Sequence, residues 1–284
     1  MKIMRLPCGS VTAAFAITAL LSGGTAHALP FGGPAPVVGA GSTVVLKRYE
    51  PASMELPIGG HAVTGSSFVV YTEGRQAGAS MLGALFGPIG ALASHMSGTA
   101  ESALGKADRL QLDLFAVLEE QVQAQSVQKE FTRIQDPAGA SMELRLTPKG
   151  FIRLTANDSA FIELQVQAEL FDRKGDEVWK GRYHYNPLVE RKLTGPQGWL
   201  DQKNEELRKV ANEGIEAGLH AAMMDVSRTI DLTKPPLGQC QIGKGRFPWV
   251  GAASDKAIVT MFINRPSGTF VFLLDPNTNA CTKS

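Results

Sequence analysis

The chain has 284 residues, 44% of them hydrophobic, with 28 Lys and Arg against 27 Asp and Glu. This composition provides enough apolar material for a folded core, and the near-neutral charge gives no electrostatic footprint for nucleic acid. We therefore expect a globular protein that has no nucleic-acid partner.

The first 28 residues have the pattern of a secretory signal peptide. Lys2 and Arg5 supply a positive start, Val11–Leu21 form an apolar run, and Ala26–Ala28 read as a small-x-small cleavage site. The apolar run has about half the ~20 residues that span a bilayer, so it is not predicted to be an anchor. Cleavage after Ala28 removes two bases and no acid, leaving 26 basic against 27 acidic residues and a net charge of −1. The mature protein is expected in the periplasm or outside the cell.

The cysteines agree with export. Cys8 lies inside the leader and before its apolar run, so it does not predict a lipid anchor. Cys240 and Cys281 form an even pair, and oxidising compartments favour a disulfide between them. Such a bond closes a loop, and the chain-entropy model predicts that this stabilises the folded state by roughly 3–4 kcal/mol. A redox-active pair is the alternative, but the spacing is far from Cys-x-x-Cys.

The mature chain begins with a Pro/Gly-rich lead-in at 29–42, and β-branched residues then predict strands at 43–49 and 66–72. Residues 77–96 contain no Asp, Glu, Lys or Arg and are interrupted by glycines and Pro88. We interpret this stretch as a helical hairpin. A hairpin buried in the domain, a surface that docks on a partner or a membrane face, and a membrane span remain alternatives. The candidate interaction residues are Leu82, Leu85, Phe86, Ile89 and Leu92.

Two longer stretches have helical periodicity. Apolar residues recur every three or four positions over 99–124 and, more strongly, over 198–231. In the second stretch Gly214 and Gly218 leave a shallow groove suited to close packing on a sheet. Pro235 and Pro236 end the pattern.

The middle of the chain alternates apolar and polar residues, which predicts antiparallel strands with one wet face. The segments at 142–146 and 151–155 are separated by a predicted turn at 148–150, and the longest strand is 161–171. A turn at 172–176 leads to a return strand containing Trp179. On the longest strand the residues predicted to face water are Glu163, Gln165, Gln167 and Glu169.

The last fifty residues form a separate unit in composition. Residues 258–264 and 269–275 predict two strands joined by the turn Arg265–Gly268. The predicted fold class is α+β: a mostly antiparallel sheet covered on one face by two long helices, plus a C-terminal disulfide-pinned β hairpin. The main domain is expected at 43–232 and the hairpin unit at 233–284.

The strand–turn–strand around Asp172, Gly175 and Trp179, followed by a long helix, resembles a pattern in bacterial envelope proteins. The amino-terminal domain of the Tol-Pal translocation protein and the curli-secretion channel family share this kind of small α/β sandwich. The resemblance spans about 43–232 and implies a role in assembly or interaction. This chain departs from the lipoprotein members because it lacks a lipid-anchor cysteine, and its C-terminal tail has no counterpart.

No pattern in the sequence predicts catalysis, a metal or another cofactor. The mature histidines His61, His95, His184 and His220 lack zinc-ligand spacing, and there is no Gly-x-Ser-x-Gly nucleophile motif. We therefore expect a non-enzymatic exported protein whose partner is another envelope protein, with peripheral membrane contact as a further option. The oligomeric state is not predicted. The alternative is a secreted hydrolase with dispersed catalytic residues.

Overall fold

The structure is a computed structural model, and it describes a strand-rich part of the chain with two helices. The described residues are 43–50, 56, 60–63, 65–72, 110, 112–124, 142–156, 158–226, 237–242, 245–249, 251–254, 257–265, 268–274 and 280–283. The strands are β1 (Thr43–Leu46), β2 (Gly60–Ala62), β3 (Phe68–Thr72), β4 (Glu143–Ala156), β5 (Ser159–Phe171), β6 (Glu177–Asn186), β7 (Glu190–Lys192), β8 (Gly238–Ile242), β9 (Gly245–Trp249), β10 (Gly251–Ser254), β11 (Ala257–Arg265), β12 (Gly268–Leu274) and β13 (Ala280–Lys283). The helices are α1 (Leu114–Gln123) and α2 (Glu205–Val226).

Most described strands belong to one mixed sheet with the order β10-β11-β12-β6-β5-β4-β3-β2, in which β1 also pairs with β4 and β7 with β5. Six of the nine pairings between its described strands are antiparallel, namely β2-β3, β4-β5, β5-β6, β5-β7, β10-β11 and β11-β12. The other three are parallel, namely β1-β4, β3-β4 and β12-β6. The predicted α+β class with a mostly antiparallel sheet is therefore confirmed.

Strand β4 corrects one sequence prediction. The turn expected at 148–150 does not form, because β4 runs unbroken from Glu143 to Ala156 and pairs with β5 throughout this stretch. A Cβ added to Gly150 would lie 2.3 Å from the Phe68 ring, so glycine here admits a neighbouring side chain. Lys149 therefore lies in the middle of a strand.

The helices are shorter in the described residues than their sequence patterns. Helix α1 begins at Leu114 because the carboxylate of Asp113 accepts a hydrogen bond from the Phe115 amide, which caps the first turn. Residues 112–113 are not helical, so the stripe over 99–124 is not one continuous helix. Residues 198–201 are not helical, a short 3-10 helix (Gln202–Asn204) precedes α2, and 227–231 lie outside the described residues.

The core lies between the sheet and the two helices. The apolar β5 residues that alternate with the predicted water-facing ones are all fully buried there: Ile162, Leu164, Val166, Ala168 and Leu170. A Cβ at Gly214 would lie 2.6 Å from Leu164, and one at Gly218 would lie 2.8 Å from Val166. These contacts confirm the groove predicted on α2 and bring its backbone close to β5.

The C-terminal strands extend the main sheet. Strands β11 and β12 form the predicted antiparallel hairpin, and β12 then pairs in parallel with β6. The composition of the tail had predicted a separate unit. Composition does not reveal this pairing, because it depends on backbone hydrogen bonds to a strand far away in the chain.

A disulfide joins Cys240 and Cys281, whose Cα atoms are 4.0 Å apart. The two cysteines lie directly opposite each other on β8 and β13, in a three-stranded sheet ordered β13-β8-β9. The predicted pairing of Cys240 with Cys281 is therefore confirmed. The bond closes this small sheet and ties β13, which follows the β11–β12 hairpin in the chain, to β8, the first described strand after α2.

Candidate functional site: the polar face of the central sheet

The second face of the central sheet is polar and yet buried. Glu163 and Gln165 are each 4% exposed and Gln167 is 8% exposed, whereas the sequence predicted them in water. That prediction is wrong. Strict alternation distinguishes the two faces of a strand by chemistry, but it does not report whether distant segments cover the polar one.

We call this surface the polar face and define it by ten residues on three adjacent strands. They are Lys149 and Arg153 of β4, Glu163, Gln165, Gln167 and Glu169 of β5, and Lys180, Arg182, His184 and Asn186 of β6.

A first hydrogen-bonded chain crosses the polar face from β4 to β6. The Lys149 ammonium donates to Oε1 of Gln167 at 2.7 Å, and Nε2 of Gln167 donates to Oε1 of Glu169 at 2.5 Å. The same Glu169 oxygen lies 2.5 Å from Nζ of Lys180, which is also 3.4 Å from Glu177. Gln167 thus links an ammonium to a carboxylate: its side-chain oxygen accepts from Lys149 and its side-chain nitrogen donates to Glu169.

A second group lies toward the other end of β5. Nη2 of Arg153 lies 3.1 Å from Oε1 of Glu163 in an ion pair whose side chains are 14% and 6% exposed. The side-chain amide of Asn186 donates to the same carboxylate at 3.5 Å. Burial raises the pKa of Tyr71, and the charges of Arg153 and Glu163 contribute in opposite directions. Removing one member of such a pair would leave a buried charge uncompensated.

Gln165 lies between these two groups. It is the cross-strand partner of Lys149 on β4 and of His184 on β6, so three side chains form one row across the face. Directly opposite residues have Cβ atoms about 4.5–5.5 Å apart. Within the described part of the chain, Nε2 of Gln165 is buried and has no hydrogen-bond partner.

The row continues onto β12 through an aromatic contact. Phe272 pairs with His184 in the parallel β12–β6 register, and the two rings stack with centroids 5.5 Å apart. Burial, together with the charges of Arg182, Lys149 and Arg153, lowers the pKa of His184 to about 3. The imidazole is therefore neutral across the ordinary pH range.

Lys149 differs from the other cations of the polar face. Burial lowers the pKa of its ammonium to about 8, with the charges of Arg182 and Lys180 acting in the same direction and that of Glu169 opposing them. Its Nζ also lies 4.6 Å from the centre of the Tyr49 ring. Among the described residues no carboxylate lies within ion-pair distance of this ammonium. Lys149 is thus a cation held by an amide oxygen and an aromatic ring.

Two other polar-face residues keep their charge. Burial raises the pKa of Glu169, but the hydrogen bond and charge of Lys180 outweigh it and leave the pKa below its usual value. Burial lowers the pKa of Arg182 from its ordinary value, with the charges of Glu169 and Glu177 opposing that shift.

The sequence missed Lys149 because the Pro–Lys–Gly segment was interpreted as a turn. Glu163 and Glu169 were noticed but assigned to solvent. The sequence did contain one signal that this face is covered. The polar side of β5 carries two uncharged amides, Gln165 and Gln167, where a fully solvated face would accept charged residues.

The residues singled out from the sequence lie elsewhere. Cys240 and Cys281 are bonded in the three-stranded sheet, whose strands are not part of the sheet that contains the polar face. The candidate interaction residues of segment 77–96 lie outside the described residues, as do the predicted leader and lead-in. In the described ranges, no group of three or more His, Cys, Asp or Glu is arranged to hold a metal ion. No helix in the part of the chain that the structure describes is long and apolar enough to cross a membrane.

Comparisons with known proteins do not establish a family. No family model and no curated protein matches the sequence. One solved structure similar to the chain is that of a "putative lipoprotein" from Caulobacter crescentus, with 17% sequence identity and a TM-score of 0.26. The match covers 41% of this chain and 82% of that one. At this TM-score it carries no argument here, and the resemblance to the Tol-Pal and curli-secretion proteins stays a prediction.

Proposed function

We propose that this chain is an exported cell-envelope protein that acts by binding a partner and not by catalysis. Export is supported by the leader pattern at 1–28 and by the Cys240–Cys281 bond, because disulfides persist in oxidising compartments. The cysteines face each other in strand register, which gives the bond a structural position.

The observation that carries the binding role is the protonation of the polar face. General acid–base catalysis works best when a group has a pKa near the working pH. Glu169 is held ionised by Lys180, and His184 is held neutral by burial and by nearby cations. Lys149, whose pKa is about 8, is the exception on this face. Glu169 and His184, each held in one protonation state, suit recognition of a ligand better than proton transfer.

Export is tested by intact-mass measurement of protein recovered from cells that make the full chain. We expect a mass that lacks the first 28 residues and two further hydrogen atoms, which reduction of the disulfide restores. An intact Met1 together with free thiols at Cys240 and Cys281 would contradict export. A Cys240→Ser/Cys281→Ser variant, whose mass should not change on reduction, is the matched control.

The binding role is tested by deleting residues 80–94 of the apolar segment and comparing the deletion variant with the full chain. Circular dichroism reports folding, and co-sedimentation with envelope fractions reports association. A folded deletion variant that no longer associates supports docking through this segment. A folded variant whose association is unchanged rules that docking role out, and loss of the fold assigns the segment to the core.

The secreted-hydrolase alternative is favoured by one observation, the gathering of Glu163, Glu169 and His184 on one face. It predicts hydrolysis of ester or glycoside reporter substrates by the mature chain. That activity should disappear in Glu163→Gln and persist in Lys174→Met, a change in the exposed turn. Catalytic turnover with this pattern would replace the binding proposal.

A further inference from the structure

The polar face contains a buried amide donor, on Gln165, whose partner the described residues do not supply. Nε2 of Gln165 is buried, in a side chain that is only 4% exposed overall. A buried polar group that is left without a hydrogen-bond partner destabilises the folded state. A ligand atom that accepts a hydrogen bond at this position would remove that destabilisation.

A charged donor lies beside it. Lys149 is the cross-strand partner of Gln165, so the two side chains emerge next to each other on the same face. A lysine ammonium has three N–H donors, and Gln167 accepts from one of them. The remaining donors of Lys149 and the amide of Gln165 can therefore serve the same acceptor.

The charge around this row favours an anion. The ten polar-face residues include four cations and two carboxylates. Glu163 pairs with Arg153 and Glu169 with Lys180, and Glu177 also lies 3.4 Å from Lys180. Lys149 has no such pair among the described residues, and the charge of Arg182 acts on it directly. A cationic ligand would meet repulsion here, whereas an oxyanion would supply both the acceptor and the missing charge.

We infer that the polar face binds a small oxyanion, a carboxylate or phosphate group, between Gln165 and Lys149. The ammonium is the charged donor and the Gln165 amide the neutral donor. Limited exposure of the row favours a small ligand over a protein side chain presented from outside. This inference goes beyond the proposed envelope role and does not depend on it.

The experiment is calorimetric titration of the disulfide-bonded mature chain with sodium phosphate and, separately, sodium acetate, at constant ionic strength. Sodium chloride is the blank. We expect saturable binding of at least one oxyanion at millimolar concentration, and the tighter of the two identifies the ligand class. Amide NMR should show the largest shifts on β4, β5 and β6 around the Gln165 row.

Two variants test the assignment of donors. Lys149→Met should weaken oxyanion binding at least tenfold, because a charge-assisted bond is lost. Gln165→Glu should abolish binding, because its carboxylate would occupy the position of the ligand beside the ammonium. Lys174→Met changes a lysine in the exposed 172–176 turn and should bind as the native chain does.

Circular dichroism and urea unfolding establish that each variant is folded before its affinity is compared. Absence of saturable binding by both oxyanions would overturn the inference and leave a water as the partner of Gln165. Unchanged affinity in a folded Lys149→Met variant, or shifts confined to other surfaces, would also overturn it. Neither result bears on export or on partner association, which are measured separately.

Discussion

Lys149→Met should make the protein more stable at neutral pH while removing a charged donor from the polar face. Methionine keeps an unbranched apolar stem of similar length but carries no charge. The ammonium of Lys149 is held in surroundings that disfavour it, as the lowered pKa records. Removing the charge therefore relieves a cost that the folded state bears.

The size of the effect follows from that pKa. The difference between the ordinary value of 10.5 and about 8 corresponds, at 1.36 kcal/mol per pH unit, to about 3 kcal/mol. Against it stand the hydrogen bond to Gln167, about 1 kcal/mol, and the contact with the Tyr49 ring, about 0.5–1 kcal/mol. Residual solvent contact reduces the cost further, so we expect a net gain of about 1 kcal/mol.

The pH dependence of native stability has a definite sign. Below pH 8 the amine is protonated in both folded and unfolded chains, and the folded state bears the full cost. Between about pH 8 and 10.5 the folded amine loses its proton while the unfolded amine keeps it, so the free energy of unfolding rises with pH. The methionine variant lacks this contribution.

Urea unfolding of both proteins at about pH 7 and about pH 10 measures the difference, with Lys174→Met as the matched surface control. The variant should be the more stable at the lower pH and lose its advantage at the higher. Equal pH profiles in the two proteins, or a variant less stable than native at both pH values, would refute the reasoning about burial.

Three further changes in stability are expected. Tyr183→Phe should lower the free energy of unfolding by about 1–3 kcal/mol, because the buried Asp225 carboxylate loses the hydroxyl that donates to it at 2.7 Å. A change below about 0.5 kcal/mol in urea unfolding would argue that another group donates to Asp225. Gly218→Ala should lower the free energy of unfolding by about 1–3 kcal/mol in the same assay, since a Cβ at this position would lie 2.8 Å from Val166. Unchanged stability would mean that α2 moves away from β5 without a measurable cost. Cys240→Ser should cost about 4 kcal/mol for a 41-residue separation, and a thermal scan that leaves the melting temperature unaltered would contradict this closure estimate.

The sequence alone determined the features that depend on local chemistry. The alternation over 161–171 identified β5 and its apolar face, and the glycines of the long helical stripe identified the surface of α2 that approaches β5. The pairing of Cys240 with Cys281 followed from their number and compartment. Each of these inferences needs only neighbouring residues or simple counting.

The tertiary structure alone decided which polar residues are buried and which strands are neighbours. Pro148 and Gly150 are turn formers locally, yet pairing with β5 and the approach of Phe68 keep them in a strand. That placement puts Lys149 beside Gln165. Burial depends on segments far away in the sequence, so the alternation that separates the faces of a strand cannot tell a solvated polar face from a covered one.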